Sequence, residues 1–191
     1  MMIVDIEHSN EIRSPIPNKI IEEILRYKKS GTVLDLGVGW GRNALFLASE
    51  GFDVTGVDNN PNSIALFKQK ASEIKVDVKG EIADIQNYKI DRTYDIIIAN
   101  STLHFIDKPE KIIEAMKAHT EEGGLNAISA FTKENHDKGF AHLFEQNELR
   151  SYYEEWEILH YNEYLTDWEQ HDNLKPHRHF IAEIIARKAS T

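Results

Sequence analysis

The residues with the most evident capacity for chemistry lie in the run Val33-Leu34-Asp35-Leu36-Gly37-Val38-Gly39-Trp40-Gly41-Arg42-Asn43. Apolar residues frame one acid, and three alternate glycines follow. The apolar run Ala44-Leu45-Phe46-Leu47-Ala48 comes next. This order predicts a strand, a tight turn and a helix. Glycine tolerates positive φ and lets a ligand come close to the backbone. The helix that starts there offers unpaired N–H groups and the positive end of its dipole. Asp35 sets a negative charge beside that turn, so a ligand that is only an anion is disfavoured and one carrying an ammonium group is favoured. The glycine spacing also differs from the G-x-G-x-x-G fingerprint that seats a pyrophosphate.

Three further strand patterns end in residues that can bind. Asp58 follows the apolar stretch Asp53–Val57, and an acid there can accept hydrogen bonds from both hydroxyls of a ribose. NAD enzymes use the same feature, so Asp58 alone does not choose the nucleotide. Asp84 and Ile85 follow a strand expected at about Val76–Ala83; the carboxylate can accept from an adenine amino group and Ile85 can pack on the ring. Asn100-Ser101 follow Tyr94–Ala99, whose Ile96-Ile97-Ile98 is apolar on both faces, the mark of a central parallel strand. Each residue alone is an ordinary turn former. Four in succession after apolar strands make one shared site the better reading.

The elements that position these residues follow from periodicity. Ile20, Ile21, Ile24 and Leu25 recur at helical spacing and Gly31 ends that helix. Residues 1–17 lack periodicity and read as a partly mobile lead-in. A helix from about Gly41 to Glu50 stops at Gly51. Asn60-Pro61 opens the next, with Asn60 as N-cap and Pro61 at the first helical position. Asp107 with Glu110 reads as a capping box before a helix with stripe Ile112, Ile113, Met116, broken by Gly123-Gly124. A fifth strand follows at Leu125–Phe131. After a long polar connection come a short helix near Glu148–Glu155 and two strands, about Trp156–Tyr164 and His179–Arg187, expected to pair antiparallel. Strand–helix alternation predicts an α/β, doubly wound sheet with helices on both faces and ligands at the carboxyl ends of the strands.

Composition narrows the function classes. A chain of 191 residues suits a single domain over 1–191. The net charge of −10 without any Lys/Arg run argues against a nucleic-acid partner. Cysteine is absent, so no disulfide framework, Cys-based zinc site or Cys nucleophile is expected. No long apolar segment or signal-peptide pattern occurs, so the expectation is a soluble cytoplasmic protein without a membrane partner. The oligomeric state is left open.

The Asp-x-Gly-x-Gly-x-Gly run resembles the first motif of the class I S-adenosylmethionine (SAM)-dependent methyltransferases. The likeness sharpens to the tellurite-resistance (TehB-type) group in three stretches. These are the Gly41-Arg42-Asn43 ending, the run Gly51-Phe52-Asp53-Val54-Thr55-Gly56-Val57-Asp58-Asn59-Asn60-Pro61-Asn62-Ser63-Ile64, and Glu148-Leu149-Arg150-Ser151-Tyr152-Tyr153-Glu154-Glu155-Trp156 with Tyr161-Asn162-Glu163. Gly139-Phe140 and the closing Ala186-Arg187-Lys188 fit as well. The likeness runs from about residue 30 to the end, with residues 164–178 departing most and Val38 standing where the group commonly has Cys.

The resemblance implies a mostly parallel seven-stranded sheet whose final strand inserts beside the fifth, a Rossmann-like methyltransferase fold. It implies SAM as cofactor, with Asp35, Gly37 and Gly39 at its methionine end, Asn100 close to that end, Asp58 on the ribose, Asn59 beside the adenine, and Asp84 and Ile85 on the adenine. Arg42 is counted with this set and is also a candidate to gather an anion or brace the loop. The implied reaction transfers a methyl group to a small-molecule, soft nucleophile: a tellurium or selenium oxyanion or its reduced form, or a thiol. The cofactor carries the activation, and the protein must align nucleophile and methyl and exclude water.

An anion has to be collected by guanidinium or imidazole groups. The candidate catalytic residues are therefore Arg178, His177 and His104, with Arg178 expected to enter the site from a loop. His104 between Leu103 and Phe105 also reads as a core histidine. Phe105, Phe131, Phe140, Tyr152 and Tyr153 can wall the pocket or belong to the core. His177 and His179 share a face if strand-like and could ligate a metal with His171, yet no carboxylate or Cys sits at a metal-ligand spacing, so no metal is assigned. Two other readings are carried: an NAD-dependent Rossmann oxidoreductase, and a non-catalytic SAM-binding regulatory module.

Overall fold

The computed structural model describes residues 17–135, 139–168 and 176–190. The lead-in expected over 1–17 lies outside them except for Pro17. The elements in order are α1 (Lys19–Ile24), β1 (Thr32–Leu36), α2 (Arg42–Ser49), β2 (Asp53–Asp58), α3 (Pro61–Glu73), β3 (Val78–Ile82), β4 (Tyr94–Asn100), α4 (Pro109–Ala118), β5 (Thr120–Phe131), α5 (Glu148–Ser151), β6 (Glu157–Leu165) and β7 (Phe180–Arg187). A 3₁₀ turn at Leu103–Phe105 follows β4. No helix among the described residues is long and apolar enough to cross a membrane.

All seven strands form one sheet in the order β3-β2-β1-β4-β5-β7-β6. The first five pair in parallel and β7 pairs antiparallel with both β5 and β6. This is the doubly wound sheet with an antiparallel C-terminal pair, the Rossmann-like methyltransferase fold.

Two apolar layers cover it. Ile20, Ile21 and Ile24 of α1, Ala44 and Leu47 of α2 and Ile64 and Phe67 of α3 pack with Ile96 and Ile98 on one face. Ile112, Ile113 and Met116 of α4 join Leu149, Tyr153 and Ile97 on the other. The alternation within Ile96-Ile97-Ile98 sends neighbouring side chains to opposite layers, which is why the central strand is apolar throughout.

The structure departs from the sequence reading at four boundaries. The N-cap of α4 is Lys108 rather than Asp107, with Pro109 at the first helical position and no side-chain cap bond, so the capping box is not made. The helix ends at Ala118, and β5 starts at Thr120, so Gly123-Gly124 lie inside a strand. The pairing moves from Tyr94↔Thr120 to Ile96↔Leu125, a bulge that absorbs the extra residues. A Cβ on Gly124 would meet the carbonyl oxygens of Glu121 and Asp95, so close backbone approach explains glycine there. The helix expected over Glu148–Glu155 is shortened to α5, and β3 is shorter at both ends than the expected Val76–Ala83.

One buried polar contact ties the layers. Asn126 of β5 is fully buried, and its Nδ2 donates to the Tyr153 hydroxyl at 3.0 Å. Tyr153→Phe removes that acceptor without changing the ring. It should lower stability by about 1–3 kcal/mol, the scale for a buried donor left unsatisfied. Urea unfolding of the two proteins checks this.

Candidate active site

The strand ends that the sequence singled out converge at the carboxyl edge of the sheet. Gly37, Gly39 and Gly41 all adopt positive φ. The loop folds back onto β2: Gly37 N and Val38 N both donate to Val57 O, at 2.8 and 3.0 Å. A Cβ on Gly37 would collide with the Thr102 side chain, and one on Gly41 with the Phe67 ring. A Cβ on Gly39 would meet nothing within 4 Å. The first and third glycines thus close the turn against its neighbours, and the middle one faces open space.

That space is a cleft of about 1060 Å³, large for a small-molecule site. Its walls include Asp35, Gly37, Gly39, Arg42, Asp58, Asn59, Asp84, Ile85 and Asn100. The structure therefore brings together every residue assigned to cofactor binding. Others that the sequence reading did not assign also line it. Thr102 and Ile106 follow β4 and Gln86 follows Ile85, while Phe46 and Ser49 of α2 with Lys70 and Ile74 at the end of α3 form an outer lobe. The outer lobe was legible in principle, since Arg42, Leu45, Phe46 and Ser49 recur at helical spacing along one side of α2.

The electrostatics of the cleft are set by two acids. Asp35 is 3% exposed. Burial, and then the nearby Asp58 charge, push its carboxyl up from 3.8 to about 7. Asp58 plays a double role. Its Oδ2 accepts from Gly39 N and its Oδ1 from Asn60 N, both at 2.9 Å, so it braces the glycine loop against the end of β2. Each carboxylate oxygen keeps a further lone pair for a hydroxyl. Asp84 closes its own turn, its Oδ1 accepting from Gln86 N at 3.0 Å.

Asn100 has a buried Oδ1 without a hydrogen-bond partner. The next residue, Ser101, sits at φ 55°, a left-handed position that costs free energy for a residue other than glycine. Its N–H donates to Ser129 O at 2.8 Å, which anchors the turn on β5. The Asn100 oxygen is thus left for a donor, in the same cleft as the buried Asp35 carboxyl, whose ionised form a positive charge would compensate. These acceptors fit the ammonium-bearing end of SAM and do not fit a pyrophosphate.

The three residues assigned to catalysis lie on the same edge but outside the cleft wall. His104 is 1% exposed and is stacked flat on Phe131 at 4.0 Å. Burial, and then His179, push its imidazole down to about 3, so it is neutral; its Nδ1 accepts from Phe131 N at 3.4 Å. Phe131 stacks in turn on His179 at 4.4 Å, and His177 meets His179 edge-on at 4.7 Å.

Arg178 precedes β7, in the loop as expected, but its Nε donates to Thr166 O at 2.6 Å and its guanidinium lies 5.9 Å from the Trp168 ring. The expected entry of Arg178 into the cleft is not seen, because the β6–β7 register turns its side chain to Thr166. His171 lies outside the described residues. Of the aromatic candidates only Phe105 lines the cleft, whereas Tyr153 belongs to the core and Tyr152 packs against it.

Asp35 makes a checkable link between site and stability. Its carboxyl binds a proton more tightly in the ligand-free fold than in the unfolded chain, so its contribution to stability is present below about pH 4 and is lost as pH rises through about 7. Asp35→Asn removes that loss. Urea unfolding without ligand at pH 5 and pH 8 should show the variant gaining on the parent by about 2–4 kcal/mol between the two.

Comparison with known proteins agrees with this geometry. A family model described as Tellurite resistance protein TehB matches residues 11–178. A Haemophilus influenzae protein named Probable S-adenosyl-L-methionine-dependent methyltransferase TehB is 36% identical over 162 residues, covering 82% of this chain and 57% of that protein. The chain thus spans little more than half the length of that relative. The crystal structure of TehB from Haemophilus influenzae superposes with a TM-score of 0.81 at 33% identity, over 88% of this chain and 61% of that one. A SAM-dependent methyltransferase structure from Methanosarcina mazei, at 20% identity and a TM-score of 0.72 over 87% and 97% of the two chains, shares the fold. With the family model spanning most of its 191 residues, the chain belongs to the TehB family.

Proposed function

We propose that this chain is a SAM-dependent methyltransferase acting on a small soft nucleophile: a tellurium or selenium oxyanion or its reduced form, or a thiol. The observation that carries the reading is the unpartnered Asn100 Oδ1 in the cleft, beside the buried Asp35 carboxyl and a glycine loop tied to Asp58. The named relative in Haemophilus influenzae supports the same class.

Asp35 and Asn100 would hold the ammonium end of the cofactor, Gly37 and Gly39 its methionine backbone, Asp58 its ribose, and Asp84 with Ile85 its adenine. When bound, SAM supplies a methyl group already activated on a sulfonium, so the protein need not generate a strong nucleophile. The chain's own task is to bind, orient and dehydrate. Asp35 must be ionised to hold a cation, so cofactor affinity should increase as pH is raised through about 7. Phe105 and Ile106 carry the apolar wall of the cleft on the β4 side, where an acceptor can approach.

SAM or S-adenosylhomocysteine should raise the melting temperature by mass action, and NAD should not. A shift with NAD alone would overturn the assignment. Asp58→Ala should weaken SAM by about 2–3 kcal/mol in calorimetry, the scale for hydrogen bonds to a charged group, because it removes both the ribose acceptor and the brace on Gly39. Release of S-adenosylhomocysteine across a panel of selenite, tellurite and thiols would identify the acceptor. Arg178→Ala should leave turnover with selenite and SAM affinity unchanged, because its guanidinium is held on Thr166 O outside the cleft; a loss of turnover would return Arg178 to the site.

A further inference from the structure

The nucleotide half of the cleft is bordered by the ends of β1, β2 and β3, so an acceptor has to arrive from the β4 side, past Phe105 and Ile106. Phe105 is 59% exposed. Because Phe105 also lines the cleft, its exposed ring is apolar surface that a molecule in the cleft can touch. Its back is held by rings: the His104 ring centroid is at 4.4 Å and that of Phe140 at 5.5 Å. Phe140 in turn stands edge-on to His104 at 5.0 Å and to Phe131 at 4.9 Å.

What holds Phe140 lies outside the cleft. Ala141 N and His142 N both donate to the His104 carbonyl, at 2.9 and 3.2 Å. His142 Nε2 lies 3.0 Å from Glu148 Oε1, which also accepts from the Tyr152 hydroxyl at 3.1 Å. Glu148 Oε2 accepts from Glu145 N at 2.7 Å. Three donors converging on one carboxylate fix the turn that carries Phe140. Glu148 opens the Glu148–Trp156 stretch of the sequence, and neither it nor His142 lines the cleft.

We infer that Phe105 selects the methyl acceptor, favouring organic thiols whose apolar body packs on its ring, and that His142 and Glu148 are a positioning pair that holds Phe105 through Phe140. The inference rests on the methyltransferase reading for the nucleotide half alone. A divalent sulfur gains from contact with an aromatic ring edge, and an alkyl chain gains by leaving water. A small hydrated oxyanion such as selenite gains from neither. Phe105 is thus a specificity residue.

The test uses butanethiol and selenite as probes. Butanethiol affinity is read by ligand-observed NMR on protein with and without saturating S-adenosylhomocysteine, a pair that cannot turn over. Phe105→Ala should weaken butanethiol about fivefold, leave selenite binding and S-adenosylhomocysteine affinity within about twofold, and raise KM for the thiol more than it lowers kcat. His142→Ala should move butanethiol the same way, and His142→Gln, which keeps an N–H toward Glu148, should recover most of the loss.

Unchanged thiol affinity in Phe105→Ala overturns the selective role, as does an equal loss for butanethiol and S-adenosylhomocysteine. His142→Gln as weak as His142→Ala overturns the positioning pair. Failure of S-adenosylhomocysteine to bind the parent protein defeats the methyltransferase reading instead, and the effect of Phe105→Ala is then read from butanethiol on the ligand-free protein.

Discussion

A carboxylate buried near the end of β1 is the condition on which the rest of this molecule depends. Asp35 loses its hydration on folding, and both influences on its carboxyl, burial and the Asp58 charge, oppose ionisation. Buried charge is tolerated where a partner compensates it. Around Asp35 the fold arranges features that suit an incoming cation: a glycine loop whose middle member faces open space, an amide oxygen on Asn100 without a partner, and a second acid that braces the loop. The ligand-free protein holds this arrangement in an electrostatically unfavourable state, and a positively charged ligand relieves it. Affinity and stability are linked through one proton.

The two halves of the cleft are built on different principles. On the nucleotide side, polar groups at the ends of three parallel strands are set by backbone geometry: the Gly37 and Val38 amides on Val57 O, and Asp58 on Gly39 N. On the β4 side, the wall is Phe105 and Ile106, and Phe105 is backed by packing against His104, the first ring of the column His104–Phe131–His179 behind the cleft. Hydrogen-bonded loops give precise placement to a cofactor of constant shape. A wall held by packing tolerates more variation in what it contacts.

The parts of this arrangement legible in the sequence are those where local signals agree. Thr32–Leu36 and the glycines after it, Asp58, and Asn60 capping Pro61 through Asn62 N form as local pattern dictates. What escaped was decided by distant partners. Gly123-Gly124 read as a break, yet Gly124 is glycine because Asp95 O, on another strand, comes too close for a side chain. The contact of Gly37 with Thr102, the bracing of Gly39 by Asp58 and the direction of Arg178 depend on how strands register against one another. His104 carried both a catalytic and a core reading in the sequence, and Phe131 and Phe140 enclose it in the structure. Composition could not show that, because those rings arrive from elsewhere in the chain.

The insertion of β7 between β5 and β6 sets an order on assembly. β5 pairs with β4 on one side and with β7, residues Phe180–Arg187, on the other. While the ribosome is still making the chain, β1 to β4 can pair and cover Ile96, Ile97 and Ile98, but the outer edge of β5 has no partner until Phe180–Arg187 have left the exit tunnel. A twelve-residue strand with one open edge and a mostly apolar half, Leu125–Phe131, is a template for pairing with other nascent chains. The glycines near its start and the bulge against β4 interrupt the regular edge in that interval. The aromatic column joins His104 to His179 only when β7 takes its place, so the packing behind Phe105 is complete only after that strand has inserted.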